Sequence, residues 1–192
     1  MDNGAYFIGD LIHPRHFSRV VRLCLHLGVE PVFIAPSKPW MNGTIEDFNG
    51  DFGEKLWERE QWTDMEHIRG EAKIFLMRHN NRQDWKYRKT DLETIPHRKL
   101  PEDFEIDVHK LPITEGKVHF IRQVKEDGAI SVLNEDLDVD KSLAYEYAWA
   151  TIDTKQEQLL IYYREKNEEE AGLIKIYEYK IGENVKEYEE KF

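Results

Sequence analysis

Apolar positions recur at helical spacing through the first half of the chain and alternate through the second. Phe17, Val20, Val21, Leu23, Cys24, Leu25 and Leu27 mark a mostly buried helix, and Gly28 is placed to end it. Val29–Ala35 is a short apolar run between Gly28 and Pro36, which predicts a buried strand. Two prolines and an Asn-Gly make 36–43 a loop. Ile45, Phe48, Phe52 and Leu56 then predict a helix from about Thr44, despite Gly50 and Gly53. Thr63-Asp64-Met65-Glu66 has capping-box spacing and opens a further helix, with Ile68, Ala72, Phe75, Leu76 and His79 along one side.

Residues 91–116 hold Pro96, Pro101, Pro112 and Gly116 among polar residues and read as a linker. Beyond it the period becomes two. Residues 118–124 form a strand, Glu126-Asp127-Gly128 a tight turn, and 129–133 the return; 147–154, 158–164 and 173–181 supply three more strands. The expected class is therefore α+β, with modules at 1–90 and 117–192, the second a small β-barrel or sandwich. Its aromatics, Phe120, Tyr145, Tyr147, Trp149, Tyr162, Tyr163, Tyr177 and Tyr179, are expected in the core.

A chain of 192 residues with 40% hydrophobic positions and 23 aromatics can bury a core. The single Cys24 excludes a disulfide framework and a Cys-rich zinc module, and it is expected to be a small core residue. The eight histidines are scattered, and only His13 and His16 have a ligand-like spacing. No apolar run approaches the length of a membrane span and no signal peptide is visible, so a cytoplasmic protein without membrane partners is expected.

The net charge of −11 resides entirely in residues 100–192, because 1–99 carry 15 basic and 15 acidic side chains. Within the neutral half, Arg69–Lys99 holds nine basic residues against four acids. Arg78, Arg82, Lys86, Arg88 and Lys89 are candidate phosphate contacts, and Trp85 and Tyr87 interleave them in a way suited to stacking. The acidity of the second half counts against nucleic acid there and favours protein contact.

Two acidic motifs frame the first module. Asp2-Asn3-Gly4 opens the chain, and Asn42-Gly43-Thr44-Ile45-Glu46 places a carboxylate in the first turn of a helix. Two or three acids gathered around Mg²⁺ make a site for in-line attack on a phosphodiester. The combination Asp2-Asn3-Gly4, the 17–28 helix and Pro39-Trp40-Met41-Asn42-Gly43-Thr44-Ile45-Glu46 resembles the latter part of the integrase core of bacterial DDE transposases, an RNase H-like fold. The strands from Val118 are similar to the small SH3-like barrel that often follows such cores.

The resemblance implies that Asp2 and Glu46 are the second and third catalytic acids and ligands of Mg²⁺ or Mn²⁺. It implies that Lys38 and Trp40, in the loop before the glutamate, lie near DNA. The expected partners are transposon ends and target DNA. Forty-three residues separate the two acids, more than is usual in the family, and the surplus fits an insertion in 8–16. The family's first aspartate lies on an earlier strand, whereas only Met1 precedes Asp2. A truncated core, weak or absent metal binding and no activity alone are expected. So is repacking, self-association or recruitment of a separate N-terminal piece to cover the apolar faces of 17–27 and 45–57. The alternative is a non-catalytic module that binds nucleic acid or a transposase and modulates transposition.

Overall fold

The computed structural model describes residues 1–9, 12–59, 61–82, 105–107 and 110–183. It is an α+β protein that divides into two compact units, Met1–Asn42 with Ile106–Phe192, and Gly43–Glu105. The division differs from the sequence boundary: the first forty residues belong with the C-terminal strands.

In the first unit, α1 (Ala5–Ile8) is one helical turn, α2 spans Arg19–His26 and β1 spans Val32–Phe33. Ser18 caps α2 by accepting the Val21 N–H at 3.1 Å, and Gly28, at φ 65°, follows its end as expected. The remaining strands are β2 (Lys117–Gln123), β3 (Ala129–Val132), β4 (Glu135–Asp138), β5 (Tyr147–Asp153), β6 (Gln158–Tyr163) and β7 (Gly172–Glu178). Five of the seven form one sheet in the order β1-β2-β5-β6-β7, and β3-β4 form a separate pair. The sequence predicts a small barrel or sandwich; among the described residues no closed barrel is found.

Two further expectations change. Residues 129–133 are not the hairpin partner of 118–124, because β3 pairs with β4 while β2 lies between β1 and β5. Gly128 makes that switch possible: at φ 90° it turns the chain away, and its carbonyl accepts the N–H groups of Val139 and Asp140. β4 itself, Glu-Asp-Leu-Asp, is too polar to read as a strand and buries only Leu137.

β1 joins β2 in parallel, with Val32 opposite His119 and Phe33 opposite Phe120. The Phe33 and Phe120 rings stack at 5.0 Å, both fully buried. Phe17, Val21 and Leu25 of α2 pack into the same core as Val118, Phe120, Ile152, Leu159 and Ile161. The apolar face of 17–27 is therefore covered within the chain. Arg22 is buried in this layer and donates to the carbonyls of Leu111 at 3.0 Å and Gly182 at 2.9 Å, tying helix to connection and tail.

The second unit contains α3 (Gly43–Phe52), a wider π-type turn over Gly53–Trp57 and α4 (Met65–Arg82). Phe48 and Phe52 meet Phe75 edge-on at 5.9 and 5.6 Å, and Leu56 and Phe75 are buried. Phe48, Phe52 and Phe75 are thus contacts between α3 and α4, whereas Ile45 and Leu76, expected on the same faces, are exposed. Asp64, rather than the Thr63 hydroxyl of the expected capping box, accepts the His67 N–H at 2.8 Å. That bond holds the Asp64 carboxyl below its ordinary range. No helix among the described residues is long and apolar enough to cross a membrane.

Candidate functional site

The backbone of Met1 continues the large sheet on the far side of β1. The Met1 ammonium donates to Val32 O at 2.7 Å and its carbonyl accepts from Ile34 N at 3.0 Å, which is the parallel pattern. A strand position, the α2 crossover and β1 thus follow in order. Asp2-Asn3-Gly4 leaves from the carboxyl end of this pair. Asp2 Oδ1 accepts the Gly4 N–H at 2.8 Å, and the side chain is otherwise exposed.

Asn3 is held from both sides. Its Nδ2 donates to Ile34 O at 2.7 Å and its Oδ1 accepts from Arg122 Nη2 at 2.9 Å. Arg122 also donates to Ile34 O at 3.1 Å, Ile121 O at 2.8 Å and Ser131 O at 2.8 Å, and its guanidinium lies 5.0 Å over the Phe120 ring. It is only 5% exposed, and burial pushes its pKa down to about 10. A buried cation whose bonds run to carbonyls and an amide is a positioning device, fixing the residue beside Asp2 to both sheets. Arg122 is not among the sequence-derived candidates, although its place among Val118, Phe120 and Val124 on one face of a strand is a signal the sequence contains.

Glu46 lies in the first turn of α3 with an exposed side chain, where the helix dipole favours a carboxylate. Asp2 is in the first unit and Glu46 in the second. Each is accessible to a cation. Among the described residues, however, no three His, Cys, Asp or Glu side chains gather as a metal site. Comparison with protein-family models and with characterised proteins returns no match.

Lys38 Nζ sits 4.9 Å over the Trp40 ring, in the segment that leaves β1 from the same end as Asp2. Trp40 is 63% exposed, so this pair presents a cation and a flat ring to solvent. In the second unit Arg78 lines a cleft of 320 Å³ with Lys55, Arg59, Glu71, Asp51 and His79. Asp51 engages Lys55 and lies 3.4 Å from His79, while Arg59, Arg78 and one further acid, Glu71, complete the charged lining. An anion could meet both guanidinium groups there. Arg82 ends α4 with its side chain outside the described residues, as are Lys86, Arg88 and Lys89 altogether.

Proposed function

We propose that this chain acts in DNA integration as part of a DDE-type transposase or integrase. Asp2 and Glu46 are then two carboxylates of a site for Mg²⁺-dependent phosphoryl transfer at transposon ends and target DNA. The observation that carries the reading is the position of Asp2. It stands at the carboxyl end of a parallel backbone pair joined by a crossover helix, where open α/β sheets keep their ligands. Its neighbour Asn3 is locked there by a buried arginine. The same strand–helix–strand order supports an RNase H-like origin for 1–42, and the antiparallel β2, β5, β6 and β7 support a small SH3-like origin for the C-terminal strands. No strand-cleavage step is assigned to this chain alone.

The test is diffraction from crystals of the chain with DNA and Mn²⁺. A manganese peak shared by Asp2 and Glu46 is the expected result. Ordered carboxylates more than about 10 Å apart would overturn the reading, because paired catalytic metals lie only about 3.5–4 Å from each other.

The cleft beside Arg78 favours a second reading, a non-catalytic module that binds DNA and modulates transposition. Under it, the affinity for duplex DNA falls with rising salt, and Arg59→Ala with Arg78→Ala reduces the log–log slope by about two. A slope near zero in the parent chain excludes phosphate contact.

A further inference from the structure

The large sheet is covered on one face by α2 and the β3-β4 pair, but its other face carries an aromatic and aliphatic surface open to solvent. Ile121, Trp149, Tyr162 and Leu173 follow one another across β2, β5, β6 and β7, and Leu160 and Ile176 form a second such row. Trp149 is 39%, Leu173 47% and Ile176 52% exposed. Sequence reading assigned the aromatics here to the core, yet only Phe120 and Tyr179 among them are buried. Ile121, Trp149 and Tyr162 line a groove of 760 Å³ together with Arg164, Glu169 and Ala171, and Leu160, Leu173 and Ile176 extend the apolar face beyond it. Trp149 is anchored: its Nε1 donates to His119 Nδ1 at 3.1 Å, and His119 Nε2 lies 3.3 Å from Glu30 Oε2. A fixed indole on an open sheet face suits recognition, because little freedom is left to lose on binding.

Charge selects the occupant. Lys117 and Arg164 line the groove with Glu146 and Glu169; beyond the lining, Glu30 meets His119, and Asp153 and Glu178 share the outer row with Lys117. A phosphate backbone would meet this excess of acids, and a second copy seated face to face would bring like charges together. An apolar helix edged with Lys or Arg meets neither cost, and a helix is the ordinary cover for a sheet's free face. We infer that the outer face of the β2-β5-β6-β7 sheet docks an amphipathic helix of a protein partner, with aliphatic or aromatic anchors bordered by basic residues. The inference is independent of any metal site at Asp2.

The test uses the full chain and three probes: a synthetic helical peptide with Leu and Phe on one face and Lys on its borders, the same peptide with Glu for Lys, and oligo-dT. Binding is followed by tryptophan emission, with Trp149→Phe identifying the responding ring. The Lys-bordered peptide is expected to bind with a blue shift that Trp149→Phe removes. Ile176→Glu and Trp149→Ser are each expected to weaken it by about tenfold or more. Glu146→Lys with Glu169→Lys should weaken it further while helping the Glu-bordered peptide. Far-UV circular dichroism checks that the variants fold, and Ile176→Glu, at an exposed edge position, serves if Trp149→Ser does not. Equal binding of both peptides, tighter binding of oligo-dT, a dimer that Ile176→Glu dissolves, or no peptide binding would each overturn the proposal.

Discussion

Replacing Arg122 by methionine keeps a straight apolar stem in the core but removes the guanidinium donors to Asn3, Ile34, Ile121 and Ser131. Four bonds from a cation are lost, to Asn3 Oδ1 and to the carbonyls of Ile34, Ile121 and Ser131. Bonds to charged groups contribute about 1.5–3 kcal/mol each, so their sum is roughly 6 kcal/mol at the low end. Against this stands the relief of no longer burying a guanidinium. The fall of its pKa to about 10 corresponds to roughly 3 kcal/mol. Ile34 O also keeps a donor, Asn3 Nδ2, which places the net loss near the bottom of the range. Arg122→Met is therefore expected to destabilise the chain by about 3 kcal/mol, read from urea unfolding with an unchanged m-value. Arg122→Lys should recover less than half of that, since one ammonium cannot reach acceptors spread over both sheets. Asn3→Ala should couple to Arg122→Met in a double-mutant cycle. A loss below about 1 kcal/mol for Arg122→Met, or full rescue by lysine, would refute the reasoning.

Further outcomes follow from the packing. Phe120→Ala should cost about 3–5 kcal/mol, and Phe33→Ala should couple to it by about 0.5–1.5 kcal/mol; additive effects in a double-mutant cycle would mean that 1–42 do not share the core of the C-terminal strands. Gly128→Ala should lose at least about 2 kcal/mol in chemical denaturation, because the residue sits at φ 90° and a Cβ there would lie 2.6 Å from Lys141 N. The Arg15 hydrogen bond holds the Glu135 carboxyl below its ordinary range. A depressed carboxylate stabilises the fold above its unfolded pKa, about 4.3, and that contribution disappears as pH falls through the folded value. Glu135→Gln should therefore be less stable than the parent at neutral pH, with the gap closing below about pH 4; a gap independent of pH would contradict this.

Periodicity made α2 legible because Val21 and Leu25 bury one face of it, and the α3–α4 pair because Phe48 and Phe52 meet the buried Phe75. The strands β2, β5 and β6 were legible for the same reason, with Val118, Phe120, Ala150, Ile152, Leu159 and Ile161 alternating inward. What escaped was partnership. Nothing in the run Val29–Ala35 says that its edge is taken by β2, more than eighty residues later, since a short apolar strand carries no record of its neighbour. The open sheet escaped because alternating strands satisfy a barrel and an open sheet equally. At the candidate site, Asp2, Glu46, Lys38, Trp40 and Arg78 were legible as motif or charge, but Arg122 and the exposed aromatic rows were not. Alternation places Arg122 on the apolar face, but its partners and the exposure of the rows depend on which face is covered, and that is decided by tertiary packing.

The consequence for the candidate site is a dependence that its motif does not contain. Asp2 has one local bond, to Gly4 N, and everything else that places it comes through its neighbours. Met1 is held by Val32 and Ile34, and Asn3 by Ile34 and Arg122. Arg122 belongs to β2 and bonds β3, so the position of the Asp2 carboxylate is set by strands more than a hundred residues away. Loosening the C-terminal sheet should therefore release Asp2 before it disturbs α3 or α4, which belong to the other unit. Hydrogen exchange on Arg122→Met can read this directly. Exchange at Ile34 N, which bonds the Met1 carbonyl, should accelerate together with that of β2 amides, while amides within α4 keep their parent rates. If Ile34 and α4 instead accelerate by the same factor, the variant has unfolded the chain globally, and the claim that the sheet specifically positions Asp2 fails.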